Sequence, residues 1–142
     1  MRKKIIFAVF SMIVAGGSLL FAGREANAQF MTKAVFARGF VSGDAKDVQV
    51  AFSPKDKIVY CVLGLDNPAP DKSFKFVWSL YNTATRQRSE VYTQELGNQS
   101  AKIFASKLSA PSGLTVGFYE VEVFIDGRSR KHLKFPVVKD QF

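Results

Sequence analysis

From Ala34 onward, apolar residues tend to recur at every second position, and no long stretch carries the spacing of an amphipathic helix. Residues 34–41, 57–65, 73–81, 88–95, 101–108, Gly117–Ile125 and 130–138 therefore read as strands. The breaks carry turn chemistry: Ser42-Gly43-Asp44, the run from Asp66 to Asp71 with two prolines, Gly97-Asn98, Ala110-Pro111-Ser112-Gly113 and Asp126-Gly127. Residues 48–52 read either as a further short strand or as the end of a longer first connection. About seven short strands with frequent turns and no helices between them predict an all-β chain, a single antiparallel β-sandwich.

Two strands alternate most cleanly. In Gly117–Ile125 the set Tyr119, Val121, Val123 and Ile125 faces one way, and Glu120 and Glu122 the other. In residues 73–81, Phe74, Phe76, Trp78 and Leu80 share a face opposite Lys75 and Ser79. The last strand buries Leu133, Phe135 and Val137 and exposes His132 and Lys134. A two-residue loop at Asp126-Gly127 alone would set Val121 opposite His132, a core position against a polar one. An odd, three-residue loop from Ile125 to Gly127 is therefore expected, pairing Tyr119 with Leu133. In that register Glu122 faces Arg130 and Glu120 faces His132.

The N-terminus carries a different pattern. Arg2, Lys3 and Lys4 precede an apolar stretch from Ile5 to Ala22, and Ala26-Asn27-Ala28 supplies small residues at −3 and −1. This is the layout of a secretory signal cleaved after Ala28, giving a leader over 1–28 and a sandwich domain over 29–142. The glycines and serine at 16–18 interrupt the stretch and argue against an uncleaved anchor. The expected location is the periplasm or the exterior, with no membrane span after cleavage.

Removing the leader takes 28 of 142 residues, 4 of the 20 Lys+Arg and 1 of the 12 Asp+Glu, so the net charge falls from +8 to +5. A mildly basic exported domain suits anionic envelope polymers or lipid headgroups, and nucleic acid is not an expected partner. One cysteine and one histidine exclude an internal disulfide framework, a cysteine–histidine zinc site and any multi-histidine metal centre. No cofactor is implied.

The core tryptophan and the run from Leu114 to Val123 carry a resemblance. Trp78 sits on the third strand, and Tyr119 enters the sixth, where its hydroxyl could bond to upstream backbone. In this the chain resembles immunoglobulin-like or fibronectin-type-III-like sandwiches of bacterial exported proteins, over residues 57–138. The resemblance implies a core tryptophan at Trp78 and a tyrosine corner at Tyr119. Val121 stands where antibody domains carry their second cysteine, so Cys61 lacks a partner and only the disulfide-free relatives fit.

Chemistry-bearing residues are sparse. His132 lies among Arg130 and Lys134 on an exposed strand and reads as a surface residue, and Cys61 in its apolar strand reads as a buried, inert thiol. The pairs Asp44/Asp47 and Asp66/Asp71 lack calcium-loop spacing and read as turn residues, and Asn98-Gln99-Ser100 matters only as a glycosylation acceptor in a eukaryotic pathway. Catalysis is not expected.

Two surfaces remain. If Trp78 and Val121 point inward, then Val77, Tyr81, Phe118 and Phe124 point outward and form a candidate interaction surface, with Lys75, Glu120 and Glu122 between them. Arg128, Arg130, Lys131 and Lys134 form a candidate anion-binding strand, although cross-strand glutamates would offset part of that charge. The expected role is an exported, non-catalytic binding or accessory module presenting a sheet face to a protein or an envelope polymer. Alternatives are a carbohydrate-binding module, a subunit or chaperone of a surface assembly, and a small envelope hydrolase.

Overall fold

A computed structural model of the chain describes residues 31–139. The leader expected over 1–28 lies outside the described residues. Eight strands follow one another: β1 (Met31–Val41), β2 (Asp44–Gln49), β3 (Ile58–Leu65), β4 (Ala69–Asn82), β5 (Gln87–Gln99), β6 (Ile103–Ser109), β7 (Gly117–Ile125) and β8 (Arg128–Val137). They build two antiparallel four-stranded sheets, in the orders β2-β1-β3-β6 and β5-β4-β7-β8. The short strand offered as one of two readings of residues 48–52 forms earlier, as β2, because Ser42 and Gly43 both take positive φ (52° and 75°) and close a tight hairpin directly after β1. Gly97-Asn98, expected as a break, lies inside β5. With φ of 69° at Gly97, Leu96 is the extra residue of a bulge between the pairs Phe74–Gly97 and Lys75–Glu95.

The core fills the space between the sheets. Phe36, Cys61 and Leu63 from the first sheet meet Phe76, Trp78, Val121 and Phe135 from the second. Trp78, fully buried, stands opposite Val121 across β4 and β7. Its indole N–H donates to Ser106 Oγ (3.0 Å) on β6, and the Ser106 hydroxyl donates to Gln94 Oε1 (2.7 Å) on β5. A buried N–H without an acceptor would cost about 1–3 kcal/mol, so this chain of bonds lets the largest side chain sit at the centre. Phe135 is packed by three rings: Tyr119 stacked on it (5.2 Å between centroids), with Phe36 and Phe52 edge-on at 4.6 and 4.9 Å.

The expected tyrosine corner is present. The Tyr119 hydroxyl accepts the main-chain N–H of Thr115 at 3.0 Å, tying the approach segment to β7. Gly117 opens the strand at φ 149°, and a side chain there would meet Tyr81 O at 2.4 Å. Only glycine lets β7 come this close to the end of β4.

The final hairpin differs from expectation in both loop and register. Asp126 and Gly127 take φ of 52° and 82° and form a two-residue turn with Ile125 opposite Arg128. That turn matches the strands' twist, and Asp-Gly is well suited to it. Parity is restored further along: Arg130 is the extra residue of a bulge between the pairs Phe124–Ser129 and Val123–Lys131. Val121 consequently faces Leu133 and Tyr119 faces Phe135, not Leu133. Burial demanded an odd offset, and the strand supplied it instead of the loop. The expected charge partners shift with it, Glu120 lying opposite Lys134 and Glu122 opposite His132.

Candidate interaction surface

Four strands, read across the outer face of the second sheet, place its side chains in rows. The first runs Arg88, Tyr81, Phe118, Pro136; the second Glu90, Ser79, Glu120, Lys134; the third Thr93, Val77, Glu122, His132; the fourth Glu95, Lys75, Phe124, Ser129. Strands lie about 4.8 Å apart and successive rows about 7 Å, so neighbours within a row touch most readily.

This arrangement divides the four residues expected to cluster. Tyr81 and Phe118 are direct neighbours, and Phe118 is the exposed one, at 47%. Phe124 sits three rows away, about 20 Å along the strands, with the Lys75 ammonium over its ring at 4.8 Å. Val77 falls in a polar row and is half-buried. Two residues join the Tyr81–Phe118 pair in its row. Pro136 follows from the parity that buries Phe135 and Val137, whereas Arg88 depends on the β4–β5 register, which bulges make illegible in the sequence. Tyr81, Arg88, Phe118, Glu120 and Lys134 line a shallow depression of about 360 Å³.

Glu120 organises the centre of the face. It pairs with Arg88, and His132 Nδ1 lies 3.1 Å from its second oxygen. The Arg88 hydrogen bond, helped by His132 and opposed by partial burial, holds the Glu120 carboxyl below its ordinary range. The other imidazole nitrogen lies 3.3 Å from Glu122. Both ring nitrogens thus face carboxylates, while Cys61 lies in the core with its thiol pushed up to about 12 by burial. The two cannot meet as a nucleophile and its base.

Four other carboxylates, Asp44, Asp47, Asp56 and Asp126, are held in structural pairings. Arg38 bridges Asp56 (2.8 Å) and Asp47 (3.1 Å), with its guanidinium over Phe52, and Asp44 pairs with Lys46. Asp126 accepts the N–H of Ser73 at 3.0 Å and anchors the last turn to β4. Asp66 and Asp71 flank the start of β4. Among the described residues no three His, Cys, Asp or Glu side chains gather as a metal-binding group.

The candidate anion-binding residues all lie on β8 and are exposed. The glutamates expected to offset them are taken by Arg88 and His132 instead. Among the described residues, Arg128, Arg130, Lys131 and Lys134 make no ion pair.

The outer row and its supporting sheet can be set beside known proteins. Neither a family model nor a curated protein sequence matches the chain. A solved structure does: an immunoglobulin-like protein from Pseudomonas aeruginosa, 14% identical, superposes with a TM-score of 0.53 over 78% of this chain and 96% of that one. The fold is immunoglobulin-like. At that identity the likeness extends to the scaffold, and the surfaces must be read from this chain's own residues.

Proposed function

We propose that the chain is an exported, non-catalytic binding module that presents the Arg88–Tyr81–Phe118–Pro136 row to a protein or envelope polymer in the periplasm or outside the cell. The observation that carries this reading is the pairing of two outward aromatic rings beside a cation, over a depression also bordered by Lys134. Aromatic and arginine side chains are favoured at recognition surfaces because they offer large contact area with a polar tip. The leader-like pattern at the N-terminus supports export.

A sugar ring could stack on the same two side chains, which keeps a carbohydrate-binding module as the second reading. Envelope extract passed over immobilised protein tests both, with separate batches pretreated with protease or glycosidase. Retention should fall about tenfold for Phe118→Ala and Tyr81→Ala and stay unchanged for Phe124→Ala, the aromatic beneath Lys75. Equal loss at all three positions, or at none, would remove the row from the argument. Sequencing of the exported chain should begin at Gln29.

A further inference from the structure

The rim of the second sheet offers a separate site. Phe52 adds to the outer edge of β8 in parallel: its N–H donates to Pro136 O (3.0 Å), and the Val138 N–H donates to Phe52 O (2.9 Å). Even-numbered residues along this part of β8 therefore turn their main-chain groups outward, and odd-numbered ones turn theirs to β7. Pro136, which has no N–H to donate, occupies an edge-facing position without loss. Upstream of Phe52 the chain leaves this edge to join β1 through β2, with Gln49 opposite Phe36. The outward main-chain groups of His132 and Lys134 are left without a backbone partner among the described residues.

What lies beside that open edge is a slot. Ala34, Val35, Val48 and Val50 line one wall and Lys131 to Lys134 the other, around a volume of about 320 Å³. Val50 is 84% exposed and Val48 49%. Lys131 and Lys134 line it directly, and Arg128 and Arg130 extend the same strand, all four without an ion pair among the described residues. We infer that this edge receives an extended acidic peptide segment of a partner protein, which adds to β8 as a strand. Its main chain pairs with His132 and Lys134, its carboxylates meet the β8 cations, and an apolar side chain packs on Val48 and Val50. Charge complementarity selects the occupant: unneutralised cations oppose a second copy of this basic strand and favour an acidic one.

The slot shares only Lys134 with the depression beside the aromatic row, so variants at Tyr81 and Phe118 test the two apart. The probe is a fluorescein-labelled octapeptide alternating glutamate and valine, titrated into the purified exported protein by anisotropy. Saturable binding is expected, with slowed amide exchange at His132 and Lys134. Combined Lys131→Glu and Lys134→Glu should weaken binding at least about tenfold. Lys134→Pro, which removes one edge donor yet leaves the β7 pairing intact, should do the same, with folding checked by thermal melting. Tyr81→Ala with Phe118→Ala should leave peptide binding unchanged, whatever becomes of the aromatic row. The inference is overturned if the fully N-methylated peptide binds as tightly, if a lysine–valine octapeptide competes equally, or if no binding occurs at low salt.

Discussion

The two edges of the second sheet are protected in different ways. β5 is long and exposed over most of its length, and two of its bulges fall opposite the middle of β4. Bulges twist an edge out of the flat geometry that another strand would need. Gln94 also ties β5 to the first sheet by accepting from the hydroxyl of Ser106, which in turn accepts from the indole of Trp78. β8 has one bulge, a cap at Phe52 that covers only its C-terminal end, and a row of cations over the rest. Its hold on the core is aromatic: Phe135 packs against the rings of Tyr119, Phe36 and Phe52. One edge is closed by backbone irregularity, the other by charge, and charge can be answered by an oppositely charged partner.

The largest expected effect strikes the aromatic anchor. Phe135→Ala should cost about 3–5 kcal/mol in urea unfolding, and Leu96→Ala in the β5 bulge less than about 2 kcal/mol. Equal losses would mean that the edges are anchored alike. Next comes the polar tether: Ser106→Ala leaves the Trp78 N–H without its acceptor and should cost about 1–3 kcal/mol. Lys134→Ala, by contrast, should fall within about 0.5 kcal/mol of the parent. Tyr119→Phe removes the bond from Thr115 and should cost about 0.5–1.5 kcal/mol, with the Phe135 stack retained.

The smallest effect is expected on the outer face. The folded-state pKa of Glu120 is depressed, so its stabilising contribution is present above the unfolded value near 4.5 and fades as pH falls through the folded value. Stability measured below pH 4.5 should therefore decline less steeply in Glu120→Gln than in the parent. An identical decline would show that the Arg88–Glu120–His132 group contributes nothing to holding β5, β7 and β8 together.

Much of the scaffold was legible in the chain. Val121 alternates with Glu120 and Glu122, while Trp78 and Phe135 hold their place in the every-second-residue apolar sets of residues 74–80 and 133–137, and their burial follows from that periodicity. The tyrosine corner followed from the resemblance carried by the run around Tyr119. The outer face was less legible. Val77, Tyr81, Phe118 and Phe124 all point outward as expected, but which of them adjoin depends on pairing between strands distant in sequence. The even hairpin with its bulge at Arg130 shows the difficulty: an inward requirement constrains parity, and a loop or a bulge satisfies it equally well.

By itself, the sequence determined which side chains turn inward, because successive residues of a strand point to opposite faces whatever strand lies beside them. Tertiary structure alone decided which outward groups become neighbours, which carboxylates neutralise which cations, and where an edge stays open. Those outcomes depend on strand order and on single-residue bulges, and one extra residue moves every later partner without changing the pattern along the chain.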